Sequence, residues 1–550
     1  MSSPPVEQET VILRPGTARM LETVAVSPEA ATIAVASPAP ALHRRFVLRI
    51  GDVAVLGVFL AIFALAVQPV LDNDVFWHLA TGRFIAATGS IPHADPFSWT
   101  APGRPWIAHE WLTETWLYRL YTLGGYPALS YLFAGVIVLA LAISYRTARL
   151  LGATRPLAAG LTFLAALAST HTWGARPQMI SLVFVAVTVQ VLVRTRLSGR
   201  VRLVWIVPAL MEPWVNTHGG FIFGLVLILI YAGGTTVEAI WTALRGGAAN
   251  VRGVLTPWAA FAVAVAVSLV NPNGLKGLLY PFSYLGNNAS TRYVAEWVKP
   301  DFTQRQYQYF GALLLLLVLG LVLARRRPLA WEAGLIVLFS YLGLSSVRNI
   351  NLFGIVVTPL IALYLTSAGE RLRARRPRPR TSPGKSRIGQ TSGRSILNAG
   401  LASVIAVAVL VAAAPNAALA HTLRKQANGF PAGAVAYIEK NHPVGRLFNS
   451  YDWGGYLIWR LYPAVRVYVD GRPDMYGDAF VDRFVRTWRA EGSWQQTLRH
   501  EGVDLVLVEP TSGIGKALAA LTAPGHGRGG GWRILYRDRV SVVYARDPRR

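Results

Sequence analysis

The chain has 550 residues, 53% hydrophobic and 15% charged, with a mean hydropathy of +0.37, more apolar sequence than a soluble core uses. Its formal charge of +26 would suit nucleic acid in a soluble protein, but the cations sit in short segments between apolar runs, as the positive-inside rule requires, so nucleic-acid binding is excluded. The absence of cysteine rules out disulfides, thiolate nucleophiles and cysteine metal sites.

Residues 1–42 are rich in Ala, Pro, Thr and Ser and carry no cleavable signal pattern, which predicts a disordered tail. The first apolar run, 50–71, is long enough to cross a bilayer and is followed at once by Leu71-Asp72-Asn73-Asp74-Val75-Phe76-Trp77-His78. Ionisable groups at membrane depth are costly and read as functional by default. Capping of the next helix by Asp72 or Asp74 is the plain alternative, and the sequence leaves it open for one of them.

The loop 72–126 that follows is dense in aromatics, among them Trp77, Trp99, Trp106, Trp111 and Trp116. From His109 to Leu123 apolar residues recur at helical spacing, which predicts an amphipathic helix at the membrane interface. An aromatic belt accounts for most of the tryptophans but not for Asp72, Asp74, His78, Asp95, His109 and Glu110. Carboxylates beside aromatic walls at a membrane surface suit a reaction on a lipid-carried sugar: rings stack on sugar faces while a carboxylate takes a proton from an attacking hydroxyl.

Further apolar runs at 127–145, 156–171, 178–193, 201–215, 219–241, 254–270, 309–324, 329–345, 349–367 and 395–420 bring the predicted spans to about eleven. His43, Arg44, Arg45 and Arg49 place the N-terminus in the cytoplasm, and the arginines of alternate connections agree with that orientation. The turns 171–177, 216–220 and 345–349 and the loop 271–308 then fall on the extracytoplasmic side with the first loop. Taken singly, His171 and His218 read as turn residues and Arg176 or Arg348 as snorkelling cations; the one-sided clustering of polar groups is the stronger signal. Arg371 to Arg394 reads as part of a flexible, basic cytoplasmic linker, 368–394.

Residues 421–550 alternate short β-branched runs with helical patterns. They predict an extracytoplasmic α/β domain with a small, mainly parallel sheet, including strands at Arg446–Asn449, Arg466–Asp470 and Val503–Val508 and helix near Ala479–Arg499. Loops after parallel strands are usual ligand positions, but helix capping at Ser450 or Asp452 and a turn at Gly471-Arg472-Pro473 are simpler.

The first loop resembles that of GT-C superfamily glycosyltransferases: Asp74 at the outer end of the first span, Gly89 fifteen residues on, Pro92, and a helix opening His109-Glu110-Trp111. These polytopic enzymes include protein mannosyltransferases and the aminoarabinose transferases of lipid A, and use polyprenyl-phosphate sugars. The resemblance covers residues 1–370 in topology and only the first loop in motif. It implies a catalytic acid at Asp74. Two departures stand: Val75 occupies the place where several GT-C families have Glu, and His109-Glu110-Trp111 replaces their Lys-Pro-Pro.

The expected architecture is a polytopic α-helical membrane protein, GT-C-like over 43–367, with a last span at 395–420 and the α/β domain beyond. The expected activity is inverting transfer of a sugar from a polyprenyl-phosphate donor to an extracytoplasmic envelope glycan, lipid or protein acceptor. Asp74 would be general base, Asp72 and Glu110 supporting carboxylates, and His78 and His109 substrate contacts. Arg176, Arg348, Lys276 and Arg292 would partner the phosphate, with Arg176 and Arg348 facing the lipid phosphate rather than an internal carboxylate. A divalent ion on Asp72, Asp74 and His109 is the lesser reading, because three ligands without known geometry support it weakly, and neither metal nor cofactor is expected. The alternative reading is a non-catalytic lipid-linked-sugar flippase or transporter, which would favour internal repeats and mid-membrane polar groups. A structural or assembly protein would not need so many spans.

Overall fold

The computed structural model describes residues 49–284, 289–293, 295–374, 391–523 and 531–547. The predicted tail 1–42 and most of the predicted linker lie outside the described residues. In chain order the helices are α1 (Ile50–Ala66), α2 (Asn73–Thr88), α3 (Trp111–Leu150), α4 (Arg155–Ser169), α5 (Gln178–Ser198), α6 (Ile206–Thr217), α7 (Ile222–Leu244) and α8 (Val251–Val267). They continue with α9 (Gly274–Leu279), α10 (Ala289–Tyr293), α11 (Arg305–Leu323), α12 (Ala330–Ser345), α13 (Ile350–Val356), α14 (Thr358–Ala374) and α15 (Thr391–Ala417).

Among the described residues, five helices are long and apolar enough to cross a membrane: α3, α5, Gly219–Leu244, α11 and Ser395–Ala417. The pair Val347–Val356 and Thr358–Ala374, bent by 50°, makes a sixth if it is one span. This corrects the expected eleven. Helix is present at every predicted span, but α1 and α8 have 17 residues and α12 has 16. At about 1.5 Å rise per residue such helices reach roughly 25 Å, short of a hydrocarbon core of about 30 Å. The apolar run of the first segment also outlasts its helix, which ends at Ala66 while Val67 to Leu71 continue without helical structure.

α1 packs against α3, α4 and α15, while α3 lies along α5 and α2. On α15 only 11% of the apolar window is buried, and Ile396, Val404, Val407 and Val411 point outward. So much exposed apolar surface suits lipid and not water. The chain is a membrane protein.

The first loop is folded rather than extended. Asp72 caps α2, and the approach of α2 to α3 is close at Gly82, where a Cβ would lie 2.1 Å from the backbone oxygen of Glu114. α3 begins just after Glu110 and carries both the predicted interface helix and the next span. Its two limbs meet at Gly125 (φ 62°), two residues before Pro127.

Beyond α15 come α16 (Leu419–Gly429), α17 (Ala432–Asn441), β1 (Arg446–Asn449), α18 (Gly454–Leu461), α19 (Pro473–Tyr476), α20 (Asp478–Trp488), α21 (Trp494–His500), β2 (Val503–Val508), α22 (Gly513–Thr522), β3 (Trp532–Arg537) and β4 (Val542–Arg546). The sheet order is β1-β2-β4-β3. Only β1 and β2 run parallel; β2 with β4 and β4 with β3 are antiparallel, so the sheet is mixed and the mainly parallel expectation is corrected. The helix expected near Ala479–Arg499 is two helices, separated at Ala490 (φ 58°) and Gly492 (φ 60°).

The strand expected at Arg466–Asp470 is not in that sheet. Val467 pairs instead with the first loop: its N–H donates to Phe97 O at 3.2 Å, and its carbonyl accepts from Trp99 N–H at 3.0 Å. Val467 forms only an isolated bridge and the chain bends at Tyr468, and the backbone groups of Val467 find their partners in a distant loop. Around this seam, Thr100 Oγ1 donates to Tyr468 O at 2.6 Å and Arg104 Nη1 to Tyr476 O at 2.8 Å. The Phe76 ring lies 5.0 Å from Phe430 and 5.1 Å from Tyr456, so first loop and C-terminal segment share one core. Buried Arg472 donates to Asp95 at 2.9 Å and to Asp470 at 2.6 Å, locking the loop after Val467 against the first loop.

Candidate active site

The start of α2 brings two acids to one cavity in different states. Asp72 accepts the Asp74 backbone N–H at 2.9 Å through Oδ1, the cap that a short acidic side chain provides. Its Oδ2 accepts from Arg176 Nε. Arg176, in the turn before α5, also donates to Glu296 and lies 3.6 Å from Asp74 Oδ2. Burial acts against the guanidinium's charge, but Asp72 and Glu296 hold its pKa above the ordinary arginine value. Three carboxylates therefore surround Arg176, which corrects the expectation that it faces no internal acid. Arg348 is less engaged: its Nη1 is 4.0 Å from Glu296 Oε2, and its guanidinium lies 5.5 Å from the centre of the Trp297 ring.

Asp74 accepts from Trp77 Nε1 at 3.2 Å, and its side chain keeps 32% exposure, which opens to the cavity it lines. Removal from bulk water, with the charge of Asp72 adding to it, pushes its carboxyl up to about 7 against the pull of Arg176.

A second group lies along the loop before α3. Glu110 Oε2 is 3.5 Å from His78 Nδ1, and Glu110 Oε1 is 3.5 Å from both His109 Nε2 and His218 Nε2. Burial disfavours its charge, yet His109 and His78 hold its pKa below the usual carboxylate range. Burial drives His78 down to about 4 and His218 to about 3. His218 Nδ1 accepts the Gly220 N–H at 2.8 Å, which leaves its proton on Nε2, facing Glu110. Glu114, one turn after Glu110, approaches His78 Nδ1 at 3.0 Å.

These groups line a cavity of about 610 Å³ with aromatic walls at Trp77, Trp106, Tyr280, Trp297 and Tyr451. The C-terminal segment supplies part of its lining. A Cβ at Gly471 would fall 2.5 Å from Asp74 Oδ1, so the backbone passes close against the carboxylate there. Asp474 accepts from Tyr280 OH at 2.9 Å, and the Tyr280 ring lies 4.2 Å from that of His109.

Of the residues singled out in the sequence, Asp72, Asp74, His78, His109, Glu110, Arg176 and Arg348 all reach the cavity. Two do not, and both are corrections. Lys276 is exposed on α9, away from the lining residues. Arg292 donates to both carboxylate oxygens of Asp482, at 3.0 and 2.9 Å, and so binds loop 271–308 to α20. Residues that the sequence reading did not assign are Glu114, His218, Tyr280, Glu296, Tyr451, Gly471 and Asp474. Glu114 had a usable signal, since two glutamates four apart share one helix face at a cost that calls for an explanation. Glu296 had none within its own loop.

No known family matches the sequence, and no curated protein matches it either. Solved structures do. The Archaeoglobus fulgidus oligosaccharyltransferase in the apo form aligns over 90% of this chain and 74% of its own, with TM-score 0.52 and 12% identity. The archaeal oligosaccharyltransferase AglB from Archaeoglobus fulgidus, in complex with an inhibitory peptide and a dolichol-phosphate, aligns over 83% and 69%, with TM-score 0.50 and 12% identity. ArnT from Cupriavidus metallidurans bound to undecaprenyl phosphate aligns over 90% and 97%, with TM-score 0.46 and 16% identity. In its fold this chain is similar to the GT-C glycosyltransferases.

Proposed function

We propose that the protein is a membrane glycosyltransferase that moves a sugar from a polyprenyl-phosphate donor to an extracytoplasmic envelope glycan, lipid or protein acceptor, with inversion at the anomeric carbon. The observation that carries this reading is Asp74: a cavity-lining carboxylate with its pKa near 7, beside cations and aromatic walls. A base poised near the working pH is the most effective proton acceptor.

In this mechanism Asp74 takes the proton of an acceptor hydroxyl as that oxygen attacks the anomeric carbon. The bond from carbon to phosphate oxygen breaks on the opposite face, and its electron pair leaves with the phosphate. Arg348 faces that growing negative charge, because Arg176 is already committed to Asp72, Asp74 and Glu296. Arg176 instead holds three acids together and offsets part of their mutual repulsion. Asp72 has both oxygens occupied, and Glu110 stays ionised among histidines and is a weak base; both position rather than deprotonate. The histidines and aromatic rings offer a surface for sugar hydroxyls and faces.

Purified protein incubated with a panel of polyprenyl-phosphate sugars and candidate acceptors tests the reading. Sugar transfer that rises with pH through about 7, and that is lost in Asp74→Asn, is the expected result. Movement of donor between leaflets without transfer would replace it with the flippase reading.

A further inference from the structure

The turn Asp470-Gly471-Arg472-Pro473, which as sequence reads only as a change of direction, holds a buried guanidinium. The Arg472 side chain keeps 2% exposure, and those of Asp95 and Asp470 keep none. Arg472 Nε donates to Asp470 Oδ1 at 2.7 Å and Nη2 to Asp470 Oδ2 at 2.6 Å, the paired bond of a planar fork, and Nη2 also reaches Asp95 Oδ1 at 2.9 Å. Tyr476 OH donates to Asp470 Oδ2 at 2.7 Å. The guanidinium lies 4.5 Å from the centre of the Trp106 ring and 5.2 Å from that of Phe97, both in the first loop. Apolar side chains could join these two segments without the cost of burying charge, so an ion cluster with this many partners points to a need for fixed placement.

What it places is Gly471. A Cβ there would fall 2.5 Å from Asp74 Oδ1 and 3.1 Å from Trp77 Nε1, the group that donates to the same oxygen. A second line of contact runs through the start of α18. A Cβ at Gly454 would meet Val469 O at 2.2 Å and one at Gly455 would meet Asn73 O at 2.6 Å, so α18 begins wedged between Val469 and the first turn of α2. Backbone packed this closely has no rotamer with which to turn aside, and a shift of the Arg472 turn passes to the surroundings of Asp74.

We propose that Arg472 is a positioning residue for sugar transfer: through Asp95 and Asp470 it seats Gly471 against Asp74 and closes one side of that base to bulk water. The proposal rests on the reading of Asp74 as general base. The other groups that face Asp74 are Asp72 at the cap of α2, Trp77 on the same helix, Arg176 before α5, Glu296 in loop 271–308 and Tyr451 after β1. Among the described residues none of these bonds to Arg472. Removal from water is the largest influence on Asp74, so opening this wall lets its carboxyl fall back toward the ordinary value.

The test compares wild type, Arg472→Lys and Arg104→Met, each as the full chain in detergent and each with and without Asp74→Asn. Lysine keeps the charge and loses the fork, so its effect reports placement. Arg104 donates to Tyr476 O outside the cavity lining and serves as the control for a weakened seam. Two readings are taken: the pH at which sugar transfer is half-maximal, and the rise in melting temperature that Asp74→Asn brings at pH 8. In Arg472→Lys the midpoint is expected to fall from about 7 by about 1 in pH, and the rise in melting temperature to shrink. In Arg104→Met both are expected to match wild type while the melting temperature itself drops. If Arg472→Lys melts lower and leaves both readings unchanged, the arginine is merely structural and the proposal is overturned. Should that variant not accumulate, Tyr476→Phe, which takes one bond from Asp470, decides by the same readings. A wild type that transfers no sugar removes the glycosyltransferase reading instead, and the melting comparison alone then decides whether Arg472 holds the wall.

Discussion

At the scale of single residues, the raised carboxyl of Asp74 costs stability at neutral pH. Its pKa is about 7 in the folded protein and 3.8 in its ordinary state, so the folded state holds the proton more tightly. Stability is unaffected below the lower value, falls as pH rises between the two, and stays reduced above the upper one. Asp74→Asn removes that penalty. The variant is expected to melt at the wild-type temperature near pH 4 and above it at pH 8, while transfer falls by about 10²-fold or more. A variant that melts below wild type at pH 8 would contradict the assignment of the raised carboxyl.

Two other residues that line the cavity are expected to act through placement. Gly471→Ala puts a methyl 2.5 Å from Asp74 Oδ1, so the carboxylate must turn aside. Turnover is expected to drop at least several-fold, with little change in melting temperature because the displaced atom is the end of a side chain that faces a cavity. Arg348→Ala is expected to raise the KM for the lipid donor, with only partial rescue by lysine, which lacks the planar fork. An unchanged donor KM would remove Arg348 from the phosphate position.

At the scale of elements, the seam between α2 and α3 is the least forgiving. A Cβ at Gly82 meets backbone, the Glu114 carbonyl at 2.1 Å, and backbone cannot rotate away. Gly82→Val is expected to lower the melting temperature by several degrees or to prevent accumulation of the protein, measured by fluorescence-detected size exclusion in detergent.

Helices were legible because apolar runs mark segments that leave water, whether for the core or for lipid, and β2 was legible to the residue because Val503–Val508 is a short buried run. Span number was not, because hydropathy continues past a helix end, as at Val67 to Leu71, where the chain is apolar and not helical. The fate of Val467 was also hidden: an extended β-branched run looks the same whether its partner is a neighbouring strand or Phe97 and Trp99. For the site, the sequence exposed Asp72, Asp74, His78 and Glu110 by crowding them into one loop. Glu296 and Asp474 meet them only through the fold.

For the whole molecule, the shared core of the first loop and the C-terminal segment constrains topology. Groups joined by buried hydrogen bonds lie on one side of a bilayer, so the chain between Glu110 and Phe430 crosses it an even number of times. On the arginine pattern that side is expected to be the exterior. With no native cysteine to confuse labelling, Gln496→Cys is expected to react with an impermeant maleimide in intact cells, and Arg373→Cys only after permeabilisation. The reverse pattern would invert the molecule.

The pairing of Val467 with Phe97 and Trp99 also sets a timetable for biosynthesis. The ribosome delivers Asp72 and Asp74 long before Gly471 and Asp474. While the helices between them are being threaded into the bilayer, the cavity has no finished wall, and the acids at its opening meet water rather than a closed chamber. The cavity therefore lacks part of its lining until the segment at Gly471 arrives, and a chain stopped before Val467 leaves Phe97 and Trp99 without these backbone partners.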